Sequence, residues 1–150
     1  MVDPFEFQKR SHIANDPTLR APAEAVDAWT GLAEQARAEL ERMGFAAAVT
    51  SGEMPFGTPT GARVAVHAMY PFGVILDWRT PLQETDRYRE EVVPGPVAPP
   101  LLEYVVTSKE IITRALLDVL KEARFRVLID HEGRQAYHYR VLGAPNFPLV

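Results

Sequence analysis

Two short runs of alternating side chains around a Pro-Phe-Gly corner constrain this chain more than any other feature. Val64, Val66, Ala68 and Tyr70 alternate with Arg63, Ala65, His67 and Met69, and after Pro71-Phe72-Gly73 the run Val74-Ile75-Leu76-Asp77-Trp78 returns. A period of two sends successive side chains to opposite faces of a sheet. Proline followed two residues later by glycine suits a type I turn with a left-handed bulge. That turn sets Tyr70 against Val74, Ala68 against Leu76 and Val66 against Trp78 on one apolar side. His67 then faces Asp77, and Ala65 faces Arg79, on the other side.

Helical patterns flank this hairpin. Pro22 suits a first helical turn, and Val26, Trp29, Ala33, Ala36, Leu40 and Met43 follow at spacings of three and four, ending at Gly44. Residues 45–50 read as a short buried strand, and 51–61 as a loop rich in turn formers. Residues 101–106 read as a strand. Thr107-Ser108-Lys109-Glu110 reads as a capping box opening a second helix, with Ile112, Ala115, Leu116, Val119, Leu120 and Ala123 as its buried stripe. Residues 125–130 and 135–142 form a second expected hairpin, turning at Gly133, with Asp130 against Arg134 and Arg126 against His138. The expected fold is α+β, a mainly antiparallel sheet of about five or six strands with two helices on one face.

Three segments fall outside this frame. Residues 1–21 read as an extended arm, because Pro4, Pro17 and Pro22 interrupt it and its apolar residues show no sustained period. Residues 80–100 form a long excursion with a short charged helical turn near 84–92 and a proline-rich stretch at 93–100. Residues 143–150 form an apolar, proline-bounded tail. The expected organisation is an arm at 1–21, one domain at 22–142, and the tail.

Composition narrows the function classes. A chain of 150 residues buries a sizeable core without staples, and zero cysteines remove disulfides, thiolate ligands and cysteine nucleophiles. The formal charge of -4 gives no general attraction to nucleic acid or anionic lipid. The acidic start does not resemble a signal peptide, and no apolar run is long enough to span a membrane. The expected location is the cytoplasm, or a particle assembled there.

The strongest chemical candidate is the trio His67, Asp77 and Arg79, on one face of the expected hairpin. A carboxylate beside a histidine fixes its tautomer and raises its basicity, which is the material of general-base catalysis. No nucleophile motif accompanies them, and opposite-type pairs across strands are ordinary sheet stabilisers. His12, His67, His131 and His138 lack metal-binding spacing. No phosphate-binding glycine pattern occurs, so no cofactor is expected. Tyr137-His138-Tyr139-Arg140 alternates as a core strand does, which is the reading preferred over base stacking. Asp86, Glu90 and Glu91 lie in a charged loop with no means of raising a carboxyl pKa.

What stands above background is the set of extended segments, which carry Phe5, Phe7, Ile13 and Leu19 in the arm, Pro96 and Pro99 in the loop, and Phe147 and Leu149 in the tail. Extended apolar segments are how subunits reach across neighbours. Residues 126–129 are apolar on both faces in part, which favours a covered second face. In element order, the strand 101–106, the capped helix 107–123 and the strand–hairpin from 125 to 141 resemble bacteriophage tail-terminator and tail-completion proteins. That resemblance implies a homo-oligomeric ring at a head–tail junction, contacts through loops and arms, and no catalytic residues. The expected function is a non-enzymatic assembly subunit with protein partners. The alternatives are a small enzyme or ligand-binding domain built on His67, Asp77 and Arg79, or an immunity-type protein that neutralises a partner.

Overall fold

The computed structural model describes residues 2–52, 59–92, 95, 99–132 and 136–149. The chain folds as an α+β domain around a mixed sheet of five strands. The strands are β1 (Ala47–Ser51), β2 (Gly61–His67), β3 (Gly73–Arg79), β4 (Arg126–Glu132) and β5 (Ala136–Gly143), in the order β1-β2-β3-β5-β4. β1 runs parallel to β2, and the other neighbours are antiparallel. Among the described residues there are four α-helices where two were expected: α1 (Pro4–Ala14), α2 (Ala23–Arg42), α3 (Asp86–Glu91) and α4 (Pro100–Glu122).

α2 and α4 pack on one face of the sheet. Trp29, Leu32, Ala36 and Leu40 of α2 meet Leu116, Leu117 and Leu120 of α4 over Val64, Val66, Val74, Leu76 and Val141. The strand residues in that set alternate along each strand, as one face of a pleated sheet requires. Each fully buried leucine among them adds about 1.5–3 kcal/mol relative to exposure. Gly44 closes α2 in a left-handed conformation (φ +97°), and the Phe45 N–H reaches back to the Leu40 carbonyl at 3.0 Å.

Residues 101–106 are helix, not strand. Pro99 is the extended N-cap of α4 and Pro100 sits in its first turn. The buried positions Val105, Thr113, Leu116, Leu117 and Leu120 continue one stripe through the whole helix. The local Tyr104-Val105-Val106 run favours a strand by propensity, but a buried stripe from Val105 to Leu120 within a 23-residue helix outweighs it. Thr107 therefore lies inside a helix and opens nothing.

Residues 1–21 are not an extended arm. Asp3 caps α1 by accepting the Phe5 N–H at 2.9 Å, and Pro4 occupies the first turn, where a missing N–H is harmless. Asn15 ends the helix in a left-handed conformation. α1 docks on the body: Phe7 is buried against Trp29 and Phe72, and the Trp29 indole donates to the Val2 carbonyl at 3.0 Å. The following segment is pinned by the Ala21 N–H donating to the Ala68 carbonyl at 2.7 Å.

Both hairpin registers differ from expectation. His67 lies opposite Gly73, Val66 opposite Val74 and Arg63 opposite Asp77. Residues 68–72 leave the ladder, because the Ala68 carbonyl is engaged by Ala21 and the Phe72 ring is buried in the core. Asp130 lies opposite His138 and Val127 opposite Val141, while Gly133 lies outside the described residues. Apart from Arg126, which lies opposite Gly143 across a bulge, each pairing moves by an even number of residues, so these side chains keep their face although they change their neighbour. In the long excursion, a 3-10 turn at Pro81–Glu84 and α3 are capped by Thr80 and Thr85. Most of 93–98, including Pro96, lies outside the described residues.

Candidate functional site

The sheet face away from α2 and α4 carries the polar groups singled out in the sequence, and they do not converge. His67 and Asp77 are both on that face, but Asp77 lies opposite Arg63. Four residues of strand separate the two levels, roughly 13 Å at strand rise. The His67 ring lies directly over the Cα of Gly52, whose N–H donates to the Val66 carbonyl at 2.9 Å. Asp77 pairs with Lys109 of α4 at 3.5 Å, beyond the point where the β3–β5 ladder ends at Leu76. Arg79 pairs with Glu84 at 3.5 Å in the following 3-10 turn. The three side chains thus serve three separate local contacts, and no acid–base dyad forms between His67 and Asp77.

A different cluster on the same face is built to higher order. Arg140, in the middle of β5, is 1% exposed. Its Nε donates to Asp130 Oδ2 at 3.0 Å, Nη1 to the Phe72 carbonyl at 2.5 Å, and Nη2 to the Pro71 carbonyl at 2.8 Å and Gln8 Oε1 at 3.3 Å. Its guanidinium carbon stands 4.9 Å from the centre of the Phe5 ring. His138 Nδ1 lies 4.0 Å from the same Asp130 oxygen. A planar, permanently charged fork with five N–H donors suits two carbonyls and a carboxylate at once. It joins α1, the β2–β3 turn, β4 and β5. Phe72 is held there in a left-handed conformation (φ +61°), unusual for an aromatic residue. The guanidinium is buried and every one of its nitrogens is engaged, so it ties these elements together. The sequence pattern gave Arg140 no such role, because the helix that covers it reads there as an extended arm.

Two groups titrate away from their ordinary values, Asp16 just after α1 and Arg37 within α2. The Thr18 hydroxyl and then its amide hold the Asp16 carboxyl below its ordinary value. Glu34 and then Glu41 raise Arg37 above its ordinary value. Among the described residues, no three His, Cys, Asp or Glu side chains are grouped to hold a metal ion. Among them, too, no helix is long and apolar enough to cross a membrane.

The residues expected to make contacts divide sharply. Phe5 lies against Arg140, Phe7 is buried, and Leu19 packs on the core, so these three are spent inside the fold. Pro99 caps α4. Ile13 at 76%, Phe147 at 80% and Leu149 at 60% stand in solvent. α4 adds Tyr104 and Ile111, also exposed and two helical turns apart on one side of the helix, and α2 ends on the exposed Met43. These helix-borne residues were missed because Ile111 sits beside a buried stripe, Met43 fits the spacing of one, and Tyr104 was read as strand.

Two adjoining cavities open where α2 and α4 end. One, of about 210 Å³, is lined by residues including Arg42, Phe125, Pro145 and Pro148, and the other, of about 410 Å³, by residues including Met43, Asp118, Val119 and Glu122. They share Glu39, Ala123 and Leu149. Together they make a groove lined by both apolar and charged side chains, to which the tail contributes Pro145, Pro148 and Leu149. No protein-family model matches this chain, and no match was found among curated proteins or solved structures.

Proposed function

We propose that this protein is a non-enzymatic assembly subunit whose work is to bind other protein chains. The observation that carries this reading is the tail: Phe147 and Leu149 are exposed on a proline-bounded segment whose Pro145 and Pro148 lie against the ends of the helices. Large apolar side chains exposed on such a segment cost solvation in a lone molecule and suit a partner surface. Exposed Tyr104 and Ile111 on α4 extend the same character to a second place. The catalytic alternative needs His67 beside Asp77, and the register sets them apart. The phage tail-junction form of the proposal rests on α4 followed by the β4–β5 hairpin, since 101–106 is helix.

Solution mass by size exclusion with light scattering, over a concentration series, tests self-assembly. A discrete oligomer or concentration-dependent growth is expected, reduced in Phe147→Ser/Leu149→Ser. A wild-type monomer at every concentration overturns the homo-oligomeric form of the proposal. A wild-type oligomer untouched by the double variant overturns the role of the tail.

A further inference from the structure

We infer that the groove at the ends of α2 and α4 binds a partner segment that combines apolar side chains with lysine or arginine. The inference deepens the protein-binding reading and rests on it. The apolar floor comes from Met43, Val119, Ala123 and Leu149. Apolar side chains of a partner entering it would be removed from water at about 25 cal/mol per Å².

The charge around that floor has one dominant sign. Arg42 is neutralised by its ion pair with Glu39. Asp118 and Glu122, one helical turn apart on α4, line the groove with no basic side chain among the other residues of that cavity. Both helices also direct their C-terminal ends here, since α2 stops at Arg42 and α4 at Glu122. A helix C-terminus carries a partial negative charge and favours cations. Two carboxylates and two helix ends therefore act in the same sense. The chain's own tail, residues 143–149, contains no basic residue, so a second copy's tail does not meet this requirement.

The test uses the full chain, isotopically labelled, and two helical peptides of identical leucine pattern, one with lysine and one with glutamate on the polar face. The lysine peptide is expected to shift the resonances of Met43, Val119, Ala123 and Leu149, and the glutamate peptide is not. Asp118→Lys/Glu122→Lys, both exposed and so neutral to folding, is expected to weaken the lysine peptide about tenfold and to admit the glutamate peptide. The preference is expected to shrink as salt is raised. Equal binding of the two peptides, or shifts confined to Tyr104 and Ile111, overturns the inference. Absence of binding by either peptide overturns it too. In each of those cases the wider assembly reading is judged separately by the solution mass.

Discussion

Replacing Arg140 with methionine removes the fork that joins α1, the β2–β3 turn and β4, while keeping most of the side chain's length. Three losses follow. The Asp130 carboxylate, only 18% exposed, loses its closest cation. The carbonyls of Pro71 and Phe72 lose donors at 2.8 and 2.5 Å. Gln8 loses the contact that ties α1 to the sheet. Breaking a buried pair by removing one partner costs about 3–5 kcal/mol, because a charge stays behind without compensation. The partial exposure of Asp130 points to the lower half of that range, so about 3 kcal/mol is expected. For a chain of this size that corresponds to a fall in melting temperature of roughly 6–12 °C. Urea denaturation followed by circular dichroism is the assay, with the midpoint moving and the slope unchanged. The stranded charge is isolated by the double variant Arg140→Met/Asp130→Asn. If it dominates, the double variant is more stable than Arg140→Met alone. A single-variant cost below about 1 kcal/mol, or a double variant simply additive, refutes the account of Arg140 as the joint between these elements.

Deleting residues 2–14 is expected to cost at least about 3 kcal/mol, from the burial of Phe7 and the lost partners of Trp29 and Arg140; a truncated chain as stable as the full one returns the segment to the status of a free arm. Gly52→Ala is expected to destabilise by about 1–3 kcal/mol, because a Cβ there falls within the His67 ring. The companion Gly52→Ala/His67→Ala should recover most of that loss in a thermal melt. The Asp16 carboxyl has a folded pKa below its ordinary value of 3.8, so its contribution to stability is complete above that value. That contribution is lost as pH falls through the lower folded value. Thr18→Ala is expected to move the carboxyl titration, followed by NMR, upward toward the ordinary value, and an unmoved titration rejects Thr18 as the cause.

The parts legible in the sequence were those set by a repeated pattern. The stripe of α2, the alternation of β2 and β3 and the shared face of the two long helices follow from period alone. The hairpin registers were not legible, because the turn between β2 and β3 is shaped by remote contacts: Ala21 on the Ala68 carbonyl and Arg140 on those of Pro71 and Phe72. Two prolines were weighed as breakers or bystanders although they open helices. Asp3-Pro4 and Pro99-Pro100 are both start signals, an extended cap followed by a residue that lacks an N–H. Missing the first turned a docked helix into an arm, and so left Arg140 without a cover. Missing the second turned the first two turns of α4 into a strand. Of the candidate contact residues, Phe147 and Leu149 were legible because a proline-bounded apolar tail has no core of its own to enter. Met43 was not, since its spacing fits the buried stripe of α2 and only the end of the helix leaves it outside.

The bond from Arg140 to Gln8 closes a separation of 132 positions along the chain. On a ribosome adding about 5–20 residues per second, the first helix emerges several seconds before the strand that anchors it. During that interval Phe5 and Gln8 have no guanidinium to meet, and the turn at Phe72 has no donor for its carbonyl. α1 is thus secured by a strand made much later, and the nascent chain carries this helix without that anchor until β5 has emerged. A chaperone or protease that samples nascent chains would meet α1 before its anchor exists.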